Sequence, residues 1–171
     1  LAIVAVPHDQ YQGVIKALTA KRIHILKEKP LALNWQEAME IDSLVKKSGA
    51  KVMISIQRRF DPMFLKFSEV IKKIGRHFFV EARRTMFIEN PHLGWRGEKD
   101  RAGGGCIIDM GYHLIDLLIW YFGLPDKIHA EYGCGAKPMY HYDAEDTAAI
   151  LFQNSETGLF GEIVLSRYIH P

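Results

Sequence analysis

The first sixty residues alternate short apolar runs with longer amphipathic stretches. Residues 1–6 form a continuous apolar run of strand length, which is typical of a strand covered on both faces. Further strands are predicted at 23–26 and 51–57, with amphipathic helices between the strands. This strand–helix–strand–helix–strand order predicts a parallel sheet with crossover helices.

Two of the predicted helices carry clear end signals. Asn34 can cap the second helix, and Glu37, three residues later, completes a capping box. Two lysines followed by Gly49 are typical of that helix's C-terminus. Asp61, followed by a proline, predicts the start of a third helix that we expect to reach Ile74.

Beyond residue 75 the pattern changes to alternating polar and apolar positions. The segment 77–88 predicts a half-exposed strand, and three more strands are predicted at 127–134, 146–153 and 158–166. One helix among mostly hairpin-spaced strands predicts a large, open, mostly antiparallel sheet. We therefore expect an α/β fold, with a parallel sheet first and the open sheet second.

The helix predicted within residues 103–123 carries charges among large apolar residues. Asp109, His113 and Asp116 are spaced four and three apart and therefore fall on one helix face. In a structural interpretation, His113 simply bonds back to Asp109. In a functional interpretation, Asp109 orients His113 as a general base and holds its pKa near the working pH. We expect no metal site, because no further cluster of ligands is evident.

Lys29 follows the second predicted strand and directly precedes Pro30. Ligands in open α/β sheets bind outside the carboxyl ends of the strands. A lysine there could hydrogen-bond a substrate hydroxyl or stabilise a developing alkoxide. An ordinary charged turn would carry the same residues.

Two cationic segments offer further binding groups. Arg58 and Arg59 close the third strand, where they could anchor the hydroxyls or carboxylate of a small ligand, or pair with Asp61. The segment 95–105 is cationic and precedes a helix, so it could bind an anion at the helix N-terminus. Its glycines could equally act only as a hinge.

Composition narrows the function classes. The chain has 171 residues, of which 48% are hydrophobic and 25% charged, with a formal charge of +2. The sequence contains no block of basic residues, so we do not expect it to bind nucleic acid. It contains no apolar run long enough to span a membrane and no signal peptide, so we do not expect a membrane partner. Two isolated cysteines favour a reduced, cytoplasmic setting. Because an apolar strand begins at residue 1, we expect a fragment that lacks both ends of its fold.

In order, the segments VPHDQYQ, ALTAKRIHILKEKPLA, QRRFDP and GGGCIIDMGYHLIDLLIWYFGLP resemble the Gfo/Idh/MocA family of oxidoreductases. The resemblance implies that residues 1–60 are the second half of a Rossmann-type domain that binds NAD or NADP. Residues 61–171 would be an incomplete α/β domain that holds the substrate. The implied activity is hydride transfer between the nicotinamide and a carbinol of a sugar, polyol or related alcohol.

The resemblance also implies residue roles. His113 would take the carbinol proton, Asp109 would orient His113, and Lys29 would hold the reacting oxygen. The residues expected beside the cofactor are Pro7, His8, Glu28 and Lys29. The residues expected to bind substrate are Gln57, Arg58, Lys29 and His113.

The chain contains no G-x-G-x-x-G fingerprint. The resemblance implies that this motif lies upstream, so the choice between NAD and NADP stays open. The alternative is a non-catalytic dinucleotide-sensing or scaffolding relative of the same fold. In either case the family leads us to expect a homo-oligomer, dimer or tetramer, joined through the exposed face of the second sheet.

Overall fold

The computed structural model describes residues 1–170 and contains two sheets with helices packed on them. The strands are β1 (Ala2–Val4), β2 (Ile25–Glu28), β3 (Val52–Ser55), β4 (Phe79–Thr85), β5 (Lys127–Gly133), β6 (Thr147–Asn154) and β7 (Leu159–Ser166). The α-helices are α1 (Tyr11–Ala20), α2 (Trp35–Ser48), α3 (Pro62–Ile71), α4 (Lys99–Ala102) and α5 (Tyr112–Phe122). A π-helical segment, Ile107–Gly111, leads directly into α5.

The first sheet is parallel, in the order β1–β2–β3, which confirms the predicted crossover architecture. Helices α1 and α2 pack against each other and against one face, around a core that includes Ile15, Ile25 and Ile41. Within residues 1–170, helices cover one face of β1, and the predicted cover on its other face stays a prediction. Leu1 and Ile3 are 85% and 77% exposed, because both helices lie on the opposite face of the sheet.

The predicted starts of α2 and α3 are confirmed, and two details of these helices differ from the prediction. Asn34 caps α2 by accepting the Glu37 N–H at 2.9 Å, but the Glu37 carboxylate accepts the Leu33 N–H at 2.7 Å instead of completing a capping box with Asn34. Asp61 caps α3 by accepting the Met63 N–H at 2.9 Å. This helix ends at Ile71, short of the predicted end, because the following turns close with bonds between residues three apart.

The second sheet has the order β4–β7–β6–β5. The β4–β7 pair is parallel and the other two pairs are antiparallel, so the prediction of an open, mostly antiparallel sheet is confirmed. One face packs against the 107–122 helix through a core that includes Met110, Ile150, Ile163 and Leu165. The opposite face carries no helix among residues 1–170 and exposes Phe160.

By length and composition alone, the stretch Lys99–Phe122 could cross a membrane. In the fold, 44% of the most apolar 18-residue segment of this stretch is buried. Asp109 and Asp116, which lie within the stretch, bind cations from other elements. A core helix meets the same length and composition criteria.

Candidate active site

Lys29 and Asp109 form an ion pair that joins the two sheets. Lys29 follows the carboxyl end of β2, and its Nζ donates to Asp109 Oδ1 at 2.8 Å and to the Asp109 carbonyl oxygen at 2.7 Å. Both side chains are mostly buried, so solvent screens the pair weakly. The pair fixes the Lys29 ammonium against the π-helical segment that precedes His113 by one turn.

Asp109 binds two further cations. Its Oδ2 lies 3.3 Å from Arg167 and 3.9 Å from Arg96. Burial alone would raise the pKa of Asp109, but the Lys29 hydrogen bond and the charges of Lys29, Arg167 and Arg96 outweigh it and hold the pKa below its usual value. Asp109 is therefore an anion at neutral pH and orients Lys29.

His113 does not pair with Asp109, so both interpretations that joined them are wrong on this point. His113 is 7% exposed, and its Nδ1 is buried without a hydrogen-bond partner among residues 1–170. Burial, followed by the charges of Lys29, Arg58 and Arg84, lowers the pKa of His113 to about 4, far from the expected working value. The imidazole is thus neutral at pH 7, which is the protonation state that a general base requires.

Asp116 has a different partner from the other two members of the helix face. It accepts two hydrogen bonds from the Arg59 guanidinium, at 2.8 and 2.7 Å. The alternative pairing of Arg59 with Asp61 is wrong, because Asp61 caps α3. The polar face of the 107–122 helix therefore contacts the first half of the chain at Asp109 and at Asp116. His113 lies between these two residues on the helix and takes part in neither contact.

A cavity of about 270 Å³ opens beside Lys29, at the carboxyl ends of β1 and β2. Its lining includes all four residues predicted beside the cofactor, Pro7, His8, Glu28 and Lys29, together with Tyr11, Trp95 and Arg96. The His8 and Trp95 rings meet edge-on, with centroids 4.5 Å apart, beside the charged ends of Glu28 and Lys29. Aromatic walls with a few polar groups fit a flat polar ring such as nicotinamide.

His8 also ties this cavity to the second half of the chain. Its Nδ1 lies 2.8 Å from the Ala102 carbonyl oxygen, and burial is the main cause that lowers its pKa. The bond runs from the turn after β1 to the end of α4. It closes one side of the cavity with a residue from each half of the chain.

Lys27 stabilises the turn that carries Lys29 by hydrogen bonds to its backbone. It is fully buried, and its Nζ donates to the Glu28 carbonyl oxygen at 2.7 Å and to the Pro30 carbonyl oxygen, while lying 3.4 Å from the centre of the Tyr11 ring. Burial lowers the pKa of Lys27 to about 7. These bonds hold the backbone on both sides of Lys29.

The two substrate-binding residues predicted on the turn after β3 have different environments. Arg58 is half-buried, lies over the Phe64 ring at 5.4 Å, and is close enough to His113 to lower its pKa. Gln57 is exposed, and no hydrogen bond ties it to the cluster within residues 1–170. Arg58 therefore acts on His113 through its charge, whereas Gln57 is exposed to solvent.

The helix N-terminus proposed as an anion site is already filled by the protein. The Glu145 carboxylate accepts the Gly105 N–H at 2.6 Å and the Ile107 N–H at 3.0 Å. A Cβ on Gly105 would lie 1.9 Å from the Glu145 carbonyl oxygen. The glycines therefore permit close contact with this internal carboxylate, and the prediction of a ligand there is wrong.

Two other features carry no site chemistry. Within residues 1–170, no group of three or more His, Cys, Asp or Glu side chains could hold a metal ion. A second cavity of about 230 Å³ lies between α5 and the second sheet, with an almost wholly apolar lining that includes Leu118 and Ile163. No titratable side chain lines it, so it offers no group for proton or hydride transfer.

Two sequence profiles match the chain. The profile described as an oxidoreductase family with an NAD-binding Rossmann fold matches residues 1–56, and the profile described as the GFO/IDH/MocA C-terminal domain matches residues 64–171. The chain belongs to the Gfo/Idh/MocA family. Residues 1–56 are thus part of an NAD-binding Rossmann domain. The boundary predicted at residue 60 stays a prediction.

Known proteins of similar sequence or fold cover the chain almost completely. Oxidoreductase P35 of Formosa agariphila is 30% identical over 159 residues, which cover 89% of this chain and 48% of that protein. The WlbA dehydrogenase of Bordetella pertussis, solved with NADH and UDP-GlcNAcA, has a TM-score of 0.89 at 21% identity and covers 99% of this chain and 53% of its own. The aldose–aldose oxidoreductase of Caulobacter crescentus, solved with glycerol, has a TM-score of 0.89 at 20% identity, with coverages of 98% and 50%. This Gfo/Idh/MocA chain therefore spans about half the length of the curated relatives it matches.

Sequence reasoning missed three arginines at the site of this Gfo/Idh/MocA chain: Arg84, Arg96 and Arg167. Arg167 is almost fully buried, although it follows the last strand. A period-two signal was available, because Ile163, Leu165 and Arg167 continue the buried face of β7. Residues 95–105 were recognised as cationic, but nothing local connected Arg96 to Asp109.

Proposed function

We propose that the full-length protein transfers hydride between NAD or NADP and a carbinol of a sugar, polyol or related small alcohol. The observation that carries the proposal is that Lys29 lines the cavity at the β1 and β2 ends while its Nζ is bound to Asp109, one helical turn before the buried, neutral His113. Membership of an oxidoreductase family and a structural relative solved with NADH and a sugar nucleotide support the same chemistry.

Lys29, His113 and Asp109 have separate roles in this reaction. The Lys29 ammonium donates a hydrogen bond to the reacting oxygen and stabilises negative charge that develops on it. The neutral His113 imidazole accepts the carbinol proton. Asp109 anchors Lys29 through the 2.8 Å ion pair and thereby sets the direction of its remaining N–H groups. A bound nicotinamide supplies the acceptor for the hydride.

Pro7, His8 and Glu28 would hold that cofactor, because they line the cavity next to Lys29. The side chain of His8 is fixed by its bond to Ala102, so its ring forms a rigid wall. Trp95 lines the same space from the second half of the chain, where its ring would shield part of a bound cofactor from water.

The decisive experiment compares Lys29→Met and His113→Asn with Lys47→Met, a matched control at an exposed position on α2. In the full-length protein, each site variant should lower turnover on a panel of sugars and polyols by roughly 10²- to 10⁴-fold. Cofactor affinity, followed by quenching of tryptophan fluorescence, should change little in all three variants.

Near-wild-type turnover in both site variants would contradict the proposal. Saturable cofactor binding without turnover of any carbinol by the wild type would favour the alternative, a non-catalytic dinucleotide-sensing relative.

We also propose that the protein forms a homo-oligomer through the outer face of the second sheet. Phe79 and Phe160 pair on that face, with ring centroids 5.2 Å apart, and Leu151 is exposed beside them. Phe160→Glu should shift the molar mass measured by light scattering towards the monomer, whereas Phe60→Glu, at an exposed residue outside this sheet, should not. An unchanged mass in Phe160→Glu would argue against this interface.

A further inference from the structure

Two arginines approach His113 from different elements and have no acidic partner. Arg84 lies near the end of β4 on the helix-facing side, two residues after Ala82, which packs in the second core. Arg58 lies in the turn after β3. Neither forms an ion pair or a side-chain hydrogen bond within residues 1–170, although both lower the pKa of His113.

The neighbouring cations each bind a carboxylate, whereas Arg58 and Arg84 do not. Arg59 binds Asp116, Arg167 binds Asp109, and Lys29 binds Asp109 as well. Burial, followed by the charge of Arg58, lowers the pKa of Arg84, and the more weakly acting charge of Asp109 does not offset this. A half-buried pair of like charges is unfavourable unless an anion lies between them.

His113 adds a second, independent sign of a ligand. Its side chain is more than nine-tenths buried, and its Nδ1 has no partner among residues 1–170. Buried polar atoms are nearly always hydrogen-bonded, so an exception calls for an explanation such as a catalytic role or a bound ion. The orphaned imidazole and the two unpaired guanidinium groups mark one location next to Lys29.

We propose that Arg58 and Arg84 form a subsite for an anionic group of the substrate, a carboxylate or a phosphate, beside the carbinol held at Lys29 and His113. The inference rests on the proposed function for the carbinol, but the anion subsite itself does not depend on turnover. The substrate class is then an acidic sugar or polyol, such as a uronate or a sugar phosphate. A guanidinium fork suits both groups, because it donates two parallel hydrogen bonds.

The test measures binding before turnover. D-Glucuronate, D-glucose 6-phosphate and D-glucose are each titrated into the full-length protein by calorimetry. The variants are Arg58→Gln, Arg84→Gln, Arg84→Lys and the matched control Arg76→Gln, an exposed arginine just before β4. Thermal unfolding midpoints show whether each variant retains the fold.

We expect at least one of the two anions to bind more tightly than D-glucose. Arg58→Gln and Arg84→Gln should each weaken its binding on the order of 10- to 100-fold, while Arg76→Gln leaves it unchanged. Arg84→Lys should restore part of the affinity, because it keeps the charge and loses only the fork. The tighter anion shows whether the group is a carboxylate or a phosphate.

Three results would overturn the subsite: no saturable binding of either anion up to about 10 mM, equal affinity for D-glucose and both anions, or anion binding that is the same in Arg58→Gln, Arg84→Gln and the wild type. Arginine-dependent anion binding without hydride transfer would leave the subsite standing and contradict the proposed function. Turnover of neutral sugars at rates unaffected by Arg84→Gln would support the function and overturn the subsite.

Discussion

At the scale of single residues, chemistry follows from partners that are distant in the sequence. Asp109 and His113 are four residues apart, but Asp109 binds Lys29, which is eighty residues away. The sequence indicated the acid, the imidazole and the lysine as candidates, since these residue types are unusual in apolar or turn segments. It could not indicate which of them pair, because a carboxylate pairs with the cations that the fold brings close to it. Which groups are close in space is known only from the tertiary structure.

The pH dependence of stability is a residue-scale prediction. The pKa of His113 falls from an ordinary value of 6.5 to about 4 in the fold, so between these values the unfolded chain binds a proton that the folded chain does not. The free energy of unfolding should therefore decrease as pH falls from 6.5 to about 4. Urea unfolding of the full-length protein at a series of pH values measures the slope.

His113→Asn should flatten that slope, because it removes the titrating group. His141→Asn, at an exposed histidine, is the matched control and should retain most of it. Equal slopes in His113→Asn and the wild type would show that His113 is not the group responsible.

At the scale of elements, the starts of helices were predictable and the environments of helices were not. Asn34 and Asp61 cap their helices as predicted, because a cap depends on backbone N–H groups only two or three residues away. The Glu145 carboxylate at the 105–107 N–H groups comes from a loop forty residues later, so nothing local indicated it. The same reason explains why the glycines before this helix were interpreted as a ligand site or a hinge.

Gly105→Ala tests the close contact at this helix start. A Cβ would overlap the Glu145 carbonyl oxygen, which is backbone and cannot rotate away, so we expect a loss of about 3 kcal/mol in the free energy of unfolding. Gly135→Ala is the matched control, since a Cβ there meets nothing within 4 Å. Equal urea midpoints for the two variants would mean that the helix start can shift without cost.

At the scale of the whole molecule, a few polar contacts join the elements of the first sheet to those of the second. The ion pairs Lys29–Asp109 and Arg59–Asp116 both run to the 107–122 helix, and His8 binds Ala102. Two of the residues in these contacts, Lys29 and His8, also line the cavity at the β1 and β2 ends. The relative position of the two sheets therefore depends on charges as well as on apolar packing.

Asp116→Asn tests this coupling. It weakens a bidentate contact whose carboxylate is mostly buried, so we expect it to lower the free energy of unfolding by about 1.5 kcal/mol. Asp42→Asn weakens an exposed pair with Lys46 on α2 and should cost about 0.4 kcal/mol or less. Similar losses in both variants, measured by urea unfolding, would argue that Arg59–Asp116 contributes no more than a surface pair.

The sequence by itself determined the order and type of the elements, the α/β class and the family resemblance. These depend on hydrophobic period, caps and short motifs, all of which act over a few residues. Only the tertiary structure decided that Asp109 orients Lys29, that Glu145 fills a helix N-terminus, and that the charge of Arg58 acts on Arg84. Electrostatic interactions act through space between groups far apart in the chain, so they are settled only when the fold brings those groups together.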